Sequence, residues 1–152
     1  VSNRTNKDLN RFIAHLPLDS TDKVTVVLKG HLLVEELLTE FVGLNFSRPN
    51  KLKDARFSFH HLLCIARAIS KEDSNDNLWS SIEKLNGLRN KLAHSLEPKD
   101  LEKRINDFIA QLSDFNSQND YVSPDLKIGT LAACILAICL TLSAKINNTN
   151  ES

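Results

Sequence analysis

Glycine and proline are scarce: four of each in 152 residues. A β-sandwich or barrel needs a turn signal about every 8–12 residues, so these numbers exclude one. Charge surplus is absent too, since 19 basic residues balance 19 acidic ones. Any attraction for nucleic acid must then come from a local patch and not from the global field. Only three cysteines occur, Cys64, Cys134 and Cys139, each inside an apolar helical run. An odd number of such thiols points to a reducing compartment and to small core hydrophobes, and no Cys/His spacing resembles a zinc site. The opening segment Val1–Asn10 is polar and has no apolar core of a secretory signal. A first residue of Val suggests that upstream residues have been removed. The expectation is a cytoplasmic protein.

What the chain does have is Leu, Ala, Lys, Glu and Asn, a helix-forming set. Its length fits one domain that can bury roughly 70% of its unfolded surface without a disulfide or metal. We expect one helical domain over 1–152, ordered from about residue 4 to 146, with a flexible tail over 147–152. The patterns predict six helices, near Thr5–His15, Asp22–Val42, Lys53–Ile69, Asp76–Leu96, Pro98–Phe115 and Pro124–Ile146. Ser20 or Thr21 is the expected N-cap of the second. Ser47–Asn50, Lys71–Asn77 and Asn116–Ser123 are expected connections. No internal repeat or domain linker occurs. The segment Ile128–Ala144 carries no charge and reaches the lower edge of a membrane span. It lacks Trp or Tyr anchors and a polybasic flank, so a buried core or interface helix is the preferred reading over membrane attachment.

The fourth helix carries the chemistry. On a helical wheel Leu78, Ile82, Leu85, Leu88, Leu92 and Leu96 form an apolar stripe. Beside it runs a second stripe of Asn86, Arg89, Asn90, Ala93 and His94. Asn90 and His94 are neighbours at i,i+4, whereas Arg89 and His94 lie about 140° apart. The small Ala93 leaves room for a partner surface or a phosphate, although Arg and Asn near a helix end also serve plain solvation. On the second helix, Val24, Val27, Leu28, Val34, Leu38, Phe41 and Val42 define an apolar face with His31 and Glu35 in its middle. A buried carboxylate needs a partner. Glu35 is expected to pair with His31, or with Arg89 as an orienting group. Along the third helix Arg56, His60 and Arg67 share a flank away from Phe59, Leu62, Ala66 and Ile69. With Lys51 and Lys53 this is the densest basic region, either a solvated face or a phosphate-contacting patch for RNA.

The run Leu88-Arg89-Asn90-Lys91-Leu92-Ala93-His94 resembles the signature of the HEPN superfamily. The segment Lys29 to Leu38 resembles the early long helix of its mannitol-repressor-like branch. The resemblance spans about Leu9–Leu112. It implies an all-α, up-and-down bundle of five to six helices that forms a homodimer. It also implies metal-independent endoribonuclease activity, with no cofactor, in a prokaryotic defence or toxin–antitoxin setting. In that scheme Arg89 is the phosphate-binding cation, Asn90 a polar positioner and His94 the general acid/base; the helix faces, apart from the resemblance, suggest His31, Glu35 and Asn86 as the groups behind them. RNA supplies its own 2′-OH nucleophile, guanidinium meets the phosphorane charge, and imidazole titrates near neutrality. The expected partners are a second copy, an RNA substrate and an antitoxin or regulatory protein, with no membrane. Some toxin members carry a Tyr two residues beyond the His; here that position is Leu96, which puts that regulation in doubt. Other members, the mannitol-repressor branch among them, are not known as nucleases. A non-catalytic binding module, as a transcriptional regulator or an interaction scaffold, is therefore the alternative.

Overall fold

The computed structural model describes residues 3–71, 76–116 and 130–150. The chain is all-helical across them: six α-helices and one 3-10 helix, with no strand among the described residues. The α-helices are α1 (Asn3–His15), α2 (Lys23–Gly43), α3 (Phe59–Ile69), α4 (Asp76–His94), α5 (Leu101–Asn116) and α6 (Thr130–Asn150), and the 3-10 helix spans Pro49–Ala55.

Helix ends follow local chemistry, and several differ from the sequence expectation. The N-cap of α2 is Asp22, whose carboxylate accepts from the Val24 and Thr25 amides; Ser20 sits upstream and takes the Asp22 amide at 3.0 Å. The third helix does not begin at Lys53. Pro49 starts a 3-10 helix there instead, and Arg56 leaves it in the left-handed region at φ 48°, which a side chain enters at a cost of roughly 1–2 kcal/mol. Ser58 then caps α3 in a reciprocal box with His61. Helix α4 stops at His94, so Leu96 lies past its end and is fully solvated at 104% exposure. Leu96 is therefore not a core residue. At the far end α6 continues through Asn150, so residues 147–150 are helical and not a loose tail. The expected loop after α5 and the expected start of the last helix at Pro124 lie outside the described residues. Cys134 and Cys139 are core residues, and burial pushes the Cys139 thiol up to about 12. Cys64 is exposed, contrary to expectation, because α3 packs through Phe59, Leu62, Leu63 and Ala66.

The core sits around α2, which packs on α3, α4 and α6. Paired residues give the directions. His31 with Asn86 and Phe41 with Trp79 make α2 and α4 antiparallel. Asn77 and Lys84 both bond Gln111, and Gly87 lies by Arg104, so α4 and α5 are antiparallel. Gly30 abuts Ile135, while Phe41 and Asn45 share a pocket with Lys145 and Thr149, so α2 and α6 run the same way. The start of α5, through Glu102, is bonded to the start of α2 at Lys23, so α5 also runs with α6. Helix α3 begins beside His31 and ends beside Phe41 and Asn45, again along α2. Strict up-and-down alternation is thus broken twice, between α2 and α3 and between α5 and α6. The 3-10 helix carries the chain back in the first case.

Helix α6 is long and apolar enough to cross a membrane by length and composition alone. Within the fold Ile135, Ile138, Cys139, Leu142 and Ile146 are completely buried. An apolar surface all round is what a central helix of a bundle requires.

Candidate functional site

The last two turns of α4 hold the expected chemistry, and their exposure follows from what fails to cover them. Ile82 and Arg89 are seven residues apart and share a helical line, as do Asn86 and Ala93. Ile82 is fully buried, yet Arg89, Asn90, Ala93 and His94 are all exposed. The cover ends where α3 begins. Beyond that point α2, running antiparallel, offers Val24 and Leu28, which are themselves exposed. The result is an open seam between the first turns of α2 and the last turns of α4, with Arg89 on its α4 side.

His31 closes the inner end of this seam. It is 4% exposed. Its Nε2 donates to Asn86 Oδ1 at 3.0 Å, and its ring stacks on Phe59 at 4.2 Å between centroids. One side chain therefore ties α2, α3 and α4 together. Burial, above all, holds the imidazole below its ordinary pKa. The Asn86 bond and the Glu35 charge work against that, and the Arg89 charge adds to it.

The structure brings His31, Asn86, Glu35 and Arg89 into one neighbourhood but pairs them differently from the sequence expectation. His31 bonds Asn86, not Glu35. Glu35 is half-buried, and its carboxylate has no hydrogen bond or ion pair among the described residues; only its backbone carbonyl is used, by Thr39. No ion pair joins it to Arg89 among those residues either. Its place explains this: Val24 and Leu28, on the same flank, are not core, so the flank that carries Glu35 is only partly covered. The buried face of α2 is Val26, Val27, Gly30, His31, Leu33, Val34, Leu37, Leu38, Phe41 and Val42. Arg89 Nη1 donates to Asn90 Oδ1 at 3.3 Å, so those two adjacent side chains do meet. His94 is exposed one turn beyond Asn90 and shares no hydrogen bond with either among the described residues.

The basic residues come from three consecutive segments. Lys51 and Lys53 belong to the 3-10 helix and Arg56 to the left-handed turn after it, while His60 and Arg67 lie along α3; all five are exposed. His60 Nε2 lies 3.5 Å from the Cys64 sulfur. Lys53 and Arg56 line a separate apolar cleft. Among the described residues no group of three or more His, Cys, Asp or Glu side chains is placed to hold a metal ion.

Two contributors escaped the sequence reading. Phe59 was legible as core but not as the stacking partner of His31; the Ser58/His61 capping pair, three residues apart, carried the signal for where its helix starts. The exposed apolar run Val24, Leu28 and Leu32, at successive i,i+4 steps, was partly assigned to the core. No family profile, curated protein or solved structure matches this chain.

Proposed function

We propose that this chain is a HEPN-like, metal-independent endoribonuclease that acts as a homodimer in a prokaryotic defence or toxin–antitoxin setting. The observation that carries the reading is that Arg89, Asn90 and His94 all reach solvent at one end of α4, where Arg89 continues the line of the buried Ile82. Exposed Val24, Leu28 and Leu32 on the adjoining helix give a second copy an apolar surface to cover. Two seams placed face to face would supply two guanidinium groups and two imidazoles to one phosphate. One His94 would take the 2′-OH proton, its mate would protonate the leaving 5′-oxygen, and Arg89 would meet the charge on the phosphorane. Asn90, bonded to Arg89, would hold that guanidinium in place.

The test is cleavage of end-labelled single-stranded RNA in chelator by wild type and His94→Ala, purified identically. Wild type is expected to leave a 2′,3′-cyclic phosphate, and His94→Ala or Arg89→Ala to lose about 10²-fold or more. Asn90→Ala should lose less, and a 2′-deoxy nucleotide at the scissile position should stop cutting. Equal trace cleavage by wild type and His94→Ala would discard the enzyme. The second reading, a non-catalytic interaction module, would then stand, favoured by the same apolar run on α2 and by the zero net charge.

A further inference from the structure

A second concavity lies at the opposite end of α2 from the Arg89 seam. The C-terminal half of α2, the 3-10 helix and the start of α3 enclose a cleft of about 640 Å³. Pockets for small molecules commonly run from about 300 to 1,000 Å³, with an apolar lining and a few placed polar groups. This cleft has that make-up. Val42, Leu44, Leu52, Phe57 and Leu62 give it apolar walls, and Lys53 and Arg56 bring two cations to them. Both cations are exposed, and neither side chain has an acid partner among the described residues. Glu40, the single acid on the lining, is itself engaged in a polar or electrostatic interaction. The left-handed turn at Arg56 sets that residue at the cleft, between the end of the 3-10 helix and Phe57.

We propose that this cleft binds a small amphiphilic anion, an acyl chain bearing a carboxylate, with the chain against the Leu52/Phe57/Leu62 walls and the carboxylate between Lys53 and Arg56. Charge complementarity selects the sign of the head group, and the apolar lining selects the tail. The inference is independent of the ribonuclease reading, because none of Arg89, Asn90 and His94 lines the cleft.

Gly43 gives a clean block. A Cβ there would meet only Pro49, at 3.4 Å, an ordinary contact. Gly43→Leu therefore adds bulk on the cleft lining, starting from a Cβ that the fold can accommodate. The experiment is calorimetric titration of the full chain with sodium decanoate, decanol and decyltrimethylammonium, on wild type, Gly43→Leu, the double variant K53E/R56E and the distant control Lys84→Glu, with thermal melts confirming each fold. Wild type and Lys84→Glu should bind decanoate saturably at one site. Decanol and the cationic amphiphile should bind about tenfold or more weaker, a modest share of what two rim charges supply. Gly43→Leu should lose both decanoate and decanol, whereas K53E/R56E should lose its preference for decanoate alone. Absence of saturable decanoate binding, equal affinity for decanol, or binding that survives Gly43→Leu in a folded protein would each overturn the proposal.

Discussion

At the scale of single residues, His31 concentrates more of the fold's constraints than any member of the Arg89 run. Its ring is buried against Phe59 and bonded to Asn86, so replacing it leaves a partner unsatisfied and a stacking contact empty. His31→Gln should cost about 1–3 kcal/mol near neutral pH. The pH dependence has a definite sign. The folded-state pKa is depressed, so the unfolded chain binds the proton more readily. The stabilising contribution of neutral His31 is present above its unfolded value of about 6.5 and is lost as pH falls through the folded one. Urea midpoints of wild type and His31→Gln should therefore converge as pH drops below about 6.5. A gap that stays constant or widens on acidification would show that His31 does not carry the linkage. Glu35 makes the opposite case. Half-buried and unpaired, it should tolerate Glu35→Ala within about 0.5 kcal/mol. A loss of 2 kcal/mol or so would restore the paired, buried carboxylate that periodicity alone suggested.

Among the helices, α2 and α6 approach closely at Gly30. A Cβ on Gly30 would fall 2.7 Å from Ile135 Cγ2 and 2.8 Å from its Cδ1, and Ile135 is fully buried. Alanine is the better helix former by about 1 kcal/mol, but overpacking a full core typically costs about 1–3 kcal/mol. Gly30→Ala should therefore destabilise despite its propensity gain. In an Ile135→Ala background, itself destabilised by its cavity, the further cost of Gly30→Ala should shrink, since both crowding atoms are gone. A Gly30→Ala protein as stable as wild type would mean that α6 is free to shift. Element existence was legible in the sequence because apolar periodicity and Pro17, Pro49 and Pro98 mark the helices and their breaks. The start of α3 was not, because Lys51–Ala55 is polar enough for either helix type and Arg56 turns left-handed where no glycine announces it. Glu35 was misplaced for a related reason. A wheel shows which residues share a line but not how far along that line a neighbouring helix extends.

For the molecule as a whole, the open seam is the feature with the largest expected consequence. Light scattering at tens of micromolar should give a dimer, consistent with the two-fold symmetry most homo-oligomers adopt, and Leu28→Glu with Leu32→Glu should give a monomer. A strict wild-type monomer would overturn the proposed composite site and the two-imidazole cleavage proposed for it. The burial of α6 leads to a second expectation, purification without detergent; a fraction held in membranes through high salt and carbonate would reverse it. The Arg-Asn…His run could be read from sequence because its chemistry is local to one helix. The seam could not, because it exists only where α3 stops covering α2 and α4.

The parallel course of α2 and α6 also has a bearing on how the chain is made. Gly30 and Ile135 come into contact from opposite ends of the polypeptide, and such distant pairings slow folding by the entropy of closing the loop between them. Synthesis proceeds from the N-terminus, so α2 leaves the ribosome long before the helix that covers it exists. During that interval Val26, Leu33 and Leu37, buried in the finished fold, lack the complete core that will cover them. A transcript cut short before α6 would leave that state permanent, and its product should be a client of chaperones and proteases rather than a smaller working protein.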